Sequence, residues 1–416
     1  MTDFEVHLSL EGETRQIGRA RSNRVRGKET ILFEYTEEWL KDADRFELEP
    51  GLPLTRGGFA PPDGQSIHGT LGDSAPDTWG RRLMQRAERR QAEREGRAVR
   101  TLLESDYLLG VSDESRLGAL RFRRADGQAF LAESSLGIPA LVELGRLLQC
   151  TDRILRDEET DEDLLMIFAP GSSLGGAHPK ASVLDQHGRL SIAKFPKESD
   201  EYSIETWEEI ALRLAERAGI PTPHHELLEV AGRSVLLSRR FDRANGQRIP
   251  FLSAMALLGA KDAQTGSYPE MVDALARHGS QAKKDARALY RRVAFNVLIS
   301  NVDDHLRNHG FLRFDRSGWT LSPAYDLNPV PADLKARLLT TNIDLEESTC
   351  SVDLLEASAE YFALSLPEAR SILKEVALAT SSWRSVAKEV GANGKEIHRM
   401  ASAFEHEALQ HALVLD

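Results

Sequence analysis

A short segment of the chain, residues 300–312 with the sequence SNVDDHLRNHGFL, holds most of the residue types that could carry out chemistry. Its acids and histidines are types that bind zinc, and its carboxylate and amide groups are types that bind Mg²⁺ or activate a hydroxyl. The same residues would also suit a solvated loop. Three interpretations of this acidic segment therefore stand at first: a zinc site, a phosphoryl-transfer site and a polar loop.

The zinc interpretation depends on His305 and His309, which are four residues apart and would share one face of a helix. Gly310 follows them, and the segment comes after the end of a predicted helix, so a further helix is disfavoured. Zinc proteases have Glu after the first histidine, whereas Leu306 follows His305. The pattern therefore disfavours zinc.

The phosphoryl-transfer interpretation depends on spacing. In kinases an aspartate base is followed five residues later by an asparagine that binds metal. Asp303 and Asn308 have this spacing, and Asp326 follows a predicted hairpin, eighteen residues beyond Asn308. Hard oxygen ligands hold Mg²⁺ against the anionic phosphoryl group, and a carboxylate deprotonates the acceptor hydroxyl. These residues predict a base, Asp303, and two metal ligands, Asn308 and Asp326.

A kinase also needs a loop that covers the phosphates. Residues 171–182, GSSLGGAHPKAS, form a small-residue loop in which Gly175 and Gly176 let backbone N–H groups approach a phosphate. The loop is not a Walker loop, because Ala177 stands where that motif has lysine, and it does not match G-x-G-x-x-G. An ordinary turn is the alternative.

A lysine on a strand is the remaining part. Lys194 ends an apolar strand, where protection of a sheet edge is the other interpretation. Glu208, on the next predicted helix, is the candidate partner for this lysine, and Glu205 and Glu209 are its rivals.

The hydrophobic pattern predicts the elements that position these groups. An apolar stripe within residues 283–300 predicts a core-facing helix directly before the acidic segment, and a hairpin turning at residues 315–318 follows it. Further predictions are a hairpin over 180–196 that turns at Gly188, a helix over 204–218 that stops at Gly219, a strand pair over 224–242, and a C-terminal helix with Ile397, Met400, Phe404 and Ala408 on one face.

Composition bounds the class of protein. The length of 416 residues suggests two or three domains, and a net charge of −12 disfavours a general nucleic-acid binder. A polar helix predicted over residues 81–105 is rich in arginine and is either a binding face or a solvated face with paired charges. Two cysteines, an acidic start without a signal-peptide pattern and no long apolar run predict a cytoplasmic protein without a membrane segment.

Together the motifs resemble the HipA family of bacterial serine/threonine kinases, the toxin halves of toxin–antitoxin pairs. The resemblance spans nearly the whole chain. In the N-terminal region the matching segments are FELEPGLPLT, LGDSAPDTWGRRLM and DYLLGVSDESRLGALRF. In the kinase part they are SSLGGAHPKA, IAKFP, RRFDR, NVDDHLRNHGF and LSPAYDLNP, which fall in the family's order.

The resemblance implies a role for each matched residue. Asp303 resembles the catalytic base, Asn308 and Asp326 the Mg²⁺ ligands, and Lys194 the lysine that holds the ATP phosphates. Ser173 aligns with the loop serine that the family phosphorylates on itself, and Arg239 or Arg240 could hold that phosphate. The remaining residues implied to contact nucleotide are Gly175, Gly176, Ala177, His178, Pro179 and Lys180 in the loop, Arg239 and Phe241 in the hinge, and His305 and Tyr325.

The chain departs from the family prototype at two places. His178 and Pro179 stand where the prototype has Gln-Glu, which implies a stiffer loop. Arg239 stands where the prototype has an acid, which implies an adenine contact through backbone. Neither change removes a catalytic group.

The resemblance also implies partners and a fold. The implied partners are a helix-turn-helix antitoxin, DNA only through that antitoxin, and a protein substrate such as an aminoacyl-tRNA synthetase. The implied fold is α+β, bilobal and protein-kinase-like. It comprises a mixed N-terminal subdomain (residues 1–135), a strand-rich ATP-binding lobe (136–248) and a mostly helical catalytic lobe (249–416).

Two other functions fit parts of the pattern. A small-molecule phosphotransferase shares the Asp-to-Asn spacing, but the N-terminal region would be surplus to it. A non-catalytic corepressor bound to a DNA-binding antitoxin would not need the intact Asp303, Asn308, Asp326 and Lys194.

Overall fold

The structure is a computed structural model that describes residues 2–125, 127–132, 137–168 and 176–416. By its internal contacts the chain divides into two compact units. The first unit comprises Met1–Glu198, Glu229–Arg233 and Leu237–Lys261. The second comprises Ser199–Leu228, Ser234–Leu236 and Asp262–Asp416.

Helices and strands follow one another along the whole chain, so the predicted α+β class is confirmed. The strands are β1 (Thr2–Leu10), β2 (Glu13–Val25), β3 (Lys28–Tyr35), β4 (Gly58–Phe59), β5 (Leu120–Arg124), β6 (Phe130–Leu131), β7 (Lys180–Leu184), β8 (Leu190–Lys194), β9 (His225–Val230), β10 (Arg233–Arg239), β11 (Arg243–Ala244), β12 (Gln247–Arg248), β13 (Phe251–Ser253), β14 (Gly310–Leu312) and β15 (Thr320–Leu321). The α-helices are α1 (Glu37–Lys41), α2 (Gly69–Asp73), α3 (Thr78–Glu95), α4 (Glu104–Gly110), α5 (Leu144–Leu155), α6 (Asp161–Phe168), α7 (Ile204–Arg217), α8 (Ala254–Leu257), α9 (Tyr268–His278), α10 (Ala282–Leu298), α11 (Val352–Ala357), α12 (Leu366–Ser381), α13 (Trp383–Val390), α14 (Gly394–Arg399), α15 (Ala401–Phe404) and α16 (Glu407–Leu413).

A six-stranded antiparallel sheet forms the start of the first unit, in the order β4-β3-β2-β1-β5-β6. In β1 the side chains of Phe4, Val6 and Leu8 alternate inward and are at most 1% exposed. This period of two is the pattern of a strand with one face on a core. Glu5 lies between Phe4 and Val6, and its Oε2 is 2.5 Å from Nη2 of Arg123 on β5.

The predicted β7–β8 hairpin is present in the first unit. Its register places Lys180 opposite Lys194 and Leu184 opposite Leu190, and Gly188 turns the chain with a φ of +70°. Because directly opposite residues of an antiparallel pair lie on one face of the sheet, the two lysines are neighbours.

The arginine-rich helix predicted over residues 81–105 is shorter at its C-terminal end. α3 stops at Glu95 because Gly96 adopts a φ of +62° and caps the helix, and α4 starts only at Glu104. Several of its arginines are paired: Arg86 lies 2.9 Å from Glu159, and Arg94 lies 2.9 Å from Asp161. The paired-charge interpretation of this helix is thereby favoured over a basic binding face.

The second unit is mostly helical, and α10 lies in its core. The predicted stripe is buried: Ala286 is 3% exposed, and Leu289, Tyr290, Val293 and Val297 are each 0% exposed. The side chain of Trp207 on α7 packs against Trp383, with ring centroids 6.2 Å apart. The helix that carries the candidate glutamates is therefore fixed by aromatic packing within this unit.

The predicted C-terminal helix is broken into α14, α15 and α16. Ile397, Met400, Phe404 and Ala408 are buried as expected. Glu405 leaves the helical conformation with a ψ of +83°, and His406 caps the N-terminus of α16. The apolar pattern correctly predicted that these four side chains are buried, but it wrongly predicted one continuous helix. A helix cap within the stripe leaves the spacing of the apolar residues unchanged, so the break is not visible in the pattern.

The division by contacts joins the N-terminal region to most of the strand-rich lobe. The boundaries predicted near residues 135 and 248 stay predictions. Among the residues that the structure describes, no helix is both long enough and apolar enough to span a membrane.

Candidate active site

Two adjacent acids after α10 have opposite environments. The side chain of Asp303 is 61% exposed, whereas that of Asp304 is 1% exposed. Asp303 Oδ1 lies 3.6 Å from Nζ of Lys335, and because both groups are largely in solvent this ion pair adds little stability. Asp303 therefore presents a carboxylate that an acceptor hydroxyl can reach, as a general base requires.

Asp304 anchors the acidic segment. Its Oδ2 accepts a hydrogen bond from the Tyr268 hydroxyl at 2.5 Å, and its Oδ1 accepts from the backbone N–H groups of Thr340 and Thr341 at 3.1 and 3.4 Å. Burial raises the pKa of Asp304 to about 7, and these donors act in the opposite direction. Asp304 thus fixes the backbone on which Asp303 projects.

Asn308 has an amide oxygen that suits a metal ion. Its Nδ2 donates to the carbonyl of Asp303 at 2.9 Å, whereas its Oδ1 is buried and has no hydrogen-bond partner among the described residues. A buried acceptor without a donor costs free energy unless a ligand completes it. Because Mg²⁺ takes oxygen ligands, Asn308 fits the predicted role of a metal ligand.

The segment around Asp326 is bonded to the acidic segment. The Tyr325 hydroxyl donates to the carbonyl of Arg307 at 2.7 Å, and the N–H of Asn328 donates to Oδ1 of Asn301 at 3.1 Å. The two stretches that carry the predicted metal ligands therefore run side by side.

Asp326 itself has a left-handed backbone with a φ of +58°, and its Oδ1 accepts from Nδ2 of Asn328 at 3.1 Å. This conformation costs about 1–2 kcal/mol for most residues, although Asp and Asn tolerate it better. Held strain of this kind is typical of functional sites.

The two histidines of the acidic segment do not lie on successive turns of an α-helix. Leu306–Asn308 form one turn of 3₁₀ helix, which starts after His305 and ends before His309. His309 is 1% exposed, burial lowers its pKa to about 3, and its ring packs edge-on against Tyr268. The helical arrangement that the zinc interpretation needs is absent from this described stretch. His305 is half-buried, and its contact with nucleotide stays a prediction.

In the first unit the described part of the glycine loop starts at Gly176, which has a φ of +79°. Ala177 is exposed, His178 is half-buried, and the carbonyl of Pro179 accepts from the N–H of Phe195 at 2.9 Å. The predicted sites Gly175 and Ser173 lie outside the described residues.

Lys180, which the resemblance assigns to the nucleotide, forms an ion pair inside the first unit. Its side chain is 2% exposed, and Nζ lies 2.8 Å from Oδ2 of Asp77. Lys194, directly opposite on β8, is 8% exposed at the end of the strand. The role of Lys194 in holding phosphates stays a prediction.

The RRFDR segment follows β10. Arg239 lies 3.5 Å from Asp185, so its side chain turns towards the β7–β8 turn, which fits an adenine contact through backbone. Phe241 is half-buried and packs on Phe251 with ring centroids 6.3 Å apart. Arg240 is 0% exposed at its side chain and bonds to Asp242, so it is not an accessible holder of a loop phosphate as the sequence suggested.

All three candidate partners of Lys194 on α7 are buried. Within the second unit, Glu209 accepts from Nδ1 of His225 at 2.7 Å and from Nε of Arg213 at 2.6 Å. Glu209 is therefore engaged by these groups, and Glu205 and Glu208 remain the candidates.

The Glu209–His225 pair predicts a pH dependence of stability. Burial opposes the charged imidazole, but the hydrogen bond and charge of Glu209, helped by Glu216, raise the pKa of His225. A raised pKa adds stability that is fully present below about 6.5 and is lost as the pH rises through the folded value. We expect His225→Gln to lower the free energy of unfolding by about 1–3 kcal/mol at pH 6, and by less at pH 9. Urea denaturation at both values measures this.

His224→Gln is the matched control, because His224 is adjacent and exposed. It should leave the unfolding free energy unchanged at both pH values. An equal loss for His225→Gln at pH 6 and pH 9 would contradict a charged pair.

Sequence reasoning missed three residues that hold the candidate site. Asn301 and Asn328 join the two ligand-bearing segments, and Asp77 holds Lys180. The signal for the asparagines was their place in the sequence: Asn301 lies within the acidic segment, two residues before Asp303, and Asn328 lies two residues after Asp326. For Asp77 the signal lay in the hallmark segment LGDSAPDTWGRRLM, where this acid stands four residues before the helix predicted over residues 81–105 and could cap it.

Comparison with known proteins shows which family the chain matches. The HipA-like C-terminal domain model matches residues 172–384, and the HipA N-terminal domain model matches residues 12–105. A protein of Haemophilus influenzae described as "Putative kinase" is 24% identical over 196 residues, which are 41% of this chain. The match spans 57% of the length of that relative.

Two solved structures are similar. HipA of Shewanella oneidensis MR-1, from a complex of HipA, HipB and operator DNA, aligns with a TM-score of 0.66 and 20% identity over 99% of this chain and 96% of its own. The Helicobacter pylori proinflammatory kinase CtkA covers 58% of this chain and 92% of its own at 15% identity, with a TM-score of 0.40 that is too low to support an argument. The first likeness shows the fold, and with a family model over half of its length the chain belongs to the HipA family.

Proposed function

We propose that this chain is an ATP- and Mg²⁺-dependent protein serine/threonine kinase of the HipA type that acts as a growth-arresting toxin. One observation carries the proposal: an exposed Asp303 carboxylate stands five residues before the buried, unpartnered amide oxygen of Asn308. A buried acceptor without a donor costs free energy in a polar loop, and a bound metal ion would offset this cost.

In this proposal Asp303 accepts the proton of the acceptor hydroxyl as that oxygen bonds to the γ-phosphorus of ATP, while the bond from this phosphorus to the bridging oxygen breaks and ADP leaves. Asp304 and its donors hold the backbone so that the carboxylate keeps one position. Positioning of this kind supplies much of the rate in phosphoryl transfer, since the protein does little covalent chemistry itself.

Asn308 and Asp326 are the proposed ligands of Mg²⁺. Bound Mg²⁺ would neutralise charge on the transferred phosphoryl group. The hydrogen bonds of Tyr325 to Arg307 and of Asn328 to Asn301 hold the two ligand-bearing segments together.

Several groups are proposed to hold the nucleotide. Lys194 would contact the phosphates, and the backbone of the loop from Gly175 to Pro179 would cover them. Arg239 and Phe241 would contact adenine, with His305 and Tyr325 beside the nucleotide. The left-handed Gly176 and the Phe241–Phe251 packing are consistent with these roles.

The partners belong to the proposal as well. The S. oneidensis relative was solved with HipB and operator DNA, and we infer a DNA-binding, helix-turn-helix antitoxin for this chain, with DNA bound only through it. A cytoplasmic location is proposed for such a pair. It is consistent with the two cysteines, which are free and buried, because disulfides are rare in the reducing cytoplasm.

The acceptor class is tested by ATP consumption with and without an aminoacyl-tRNA synthetase preparation. A protein kinase of the proposed specificity consumes ATP beyond the small amount used for self-phosphorylation only when the synthetase is added, and the synthetase gains phosphate. Consumption with sugars or aminoglycosides instead would point to a small-molecule phosphotransferase. Antitoxin binding without any consumption would point to a corepressor.

Ser173 is the proposed site of self-modification, in a loop that has to cover the nucleotide. A phosphate there brings about −1.5 to −2 charges beside the triphosphate and would keep the loop open. Mass spectrometry of the wild type incubated with Mg·ATP should find phosphate on Ser173 and none in the Asp303→Asn variant. Phosphate on neither Ser172 nor Ser173 of the wild type, or equal phosphate in both proteins, would contradict the proposal.

A further inference from the structure

A buried ion pair joins the start of α3 to the end of the glycine loop. Nζ of Lys180 lies 2.8 Å from Oδ2 of Asp77, and the two side chains are 2% and 9% exposed. The residues are 103 positions apart in sequence and both belong to the first unit. A buried charge needs a partner of opposite sign and good geometry, so each residue depends on the other.

Both ends of this pair are held in place. Asp77 caps α3, because its Oδ1 accepts from the N–H of Gly80 at 2.9 Å while its Oδ2 faces the lysine. Nε1 of Trp79, in the first turn of α3, donates to the carbonyl of Lys180 at 3.0 Å. The helix start therefore binds both the side chain and the backbone of Lys180.

The lysine in turn supports the glycine loop. Its Nζ donates to the carbonyl of Gly176 at 3.2 Å, and Gly176 has a left-handed φ of +79°. This bond closes the stretch from Gly176 to Pro179, whose backbone would cover the phosphates. Fixing that carbonyl also fixes the N–H of Ala177, which shares its peptide plane.

The charge of Asp77 has a second effect. Lys180 lies directly opposite Lys194 on the hairpin, and like charges at opposite positions repel each other. The carboxylate of Asp77 compensates the ammonium of Lys180. In the proposed function the phosphates are assigned to Lys194.

We propose that Asp77 is a positioning residue for the nucleotide, and that Lys180 supports the loop instead of contacting phosphate. Asp77 thereby acts on the described end of the glycine loop, from Gly176 to Lys180, through one carboxylate. This inference rests on the proposed kinase function.

The test compares Mg·ATP affinity by calorimetry with thermal unfolding in the variants Asp77→Asn, Lys180→Met and the double variant. Asp77→Asn and Lys180→Met should each raise the Kd by roughly 10–10²-fold, the scale of a misplaced active-site segment. The double variant should be no worse than Lys180→Met, because the uncompensated charge is gone. Lys180→Arg keeps the charge and should retain most of the affinity.

Glu88→Gln is the matched control. Glu88 is a buried carboxylate on the same helix, and it accepts from Arg97 at 2.6 Å. Its loss should lower the melting temperature and leave the Kd for Mg·ATP unchanged.

Three results would overturn the inference. A lower melting temperature with wild-type Kd in Asp77→Asn would make the pair merely structural. A raised Kd in Lys180→Met alone, with Asp77→Asn at wild-type affinity, would make Lys180 a direct phosphate ligand. If the wild type binds no ATP, the proposed kinase function fails and the inference about Asp77 fails with it. In the first two results the wild type binds ATP, so only the inference about Asp77 fails.

Discussion

Asp303→Asn is expected to lower the rate of phosphoryl transfer by roughly 10²–10⁴-fold, which is the usual contribution of a positioned proton acceptor. The amide keeps the size of the side chain but cannot accept the proton of the attacking hydroxyl. Because the Asp303 side chain is 61% exposed and pairs only weakly with Lys335, the fold should remain intact. Single-turnover transfer from γ-labelled ATP measures the loss, and calorimetry should find nearly unchanged ATP affinity.

Two aspartates serve as controls for this variant. Asp262→Asn removes an 81% exposed acid of the same unit that pairs with Arg307, and it should leave the rate unchanged. Asp304→Asn should lower stability, because the buried carboxylate accepts from Tyr268 and two backbone N–H groups. Near-normal transfer by Asp303→Asn would remove this residue from the role of base and restore the polar-loop interpretation.

Asp326→Asn is expected to lower transfer by roughly 10²–10³-fold, the scale for losing one electrostatic contact in an active site. Asparagine suits the left-handed φ of +58° and can still accept from Asn328, so the backbone should be preserved. What changes is the charge, since Asn308 and the new amide at position 326 would then offer a divalent ion only neutral oxygens. Calorimetry of ATP binding across a series of Mg²⁺ concentrations should show that the metal-dependent gain in affinity is lost.

The control for the metal site is Asp353→Asn, which neutralises an 81% exposed acid in the same unit. Its Mg²⁺ dependence should equal that of the wild type. Unchanged Mg·ATP affinity in the Asp326→Asn variant would show that this assignment is wrong. A stoichiometric zinc ion that is lost on His305→Ala would restore the zinc interpretation instead.

Local patterns predicted much of this fold. The apolar stripe of α10 and the β7–β8 hairpin with its turn at Gly188 are both where the sequence placed them. Each is set by neighbours a few residues away, so side-chain period and turn chemistry suffice. The ends of helices were harder to predict, as the end of α3 before Gly96 shows. The polar composition of this helix is similar to that of the loop that follows it.

The candidate site could be predicted only in part. The spacing of Asp303 and Asn308 predicted the roles of these two residues, a base and a metal ligand. It did not predict that the side chain of Asp303 would be exposed and that of Asp304 buried. Adjacent aspartates are equivalent in sequence, and only the long-range donors Tyr268 and Thr340 distinguish them. The same holds for the pairing of Lys180 with an acid from a distant helix, which no local pattern encodes.

The most direct measurement is the transfer of label from γ-³²P-ATP to protein hydroxyl groups by the wild-type chain, with Mg²⁺ and with excess EDTA. The proposed kinase activity should give Mg²⁺-dependent label on protein that acid hydrolysis releases as phosphoserine or phosphothreonine. Absence of protein-bound label with every acceptor, or label that EDTA does not abolish, would contradict it.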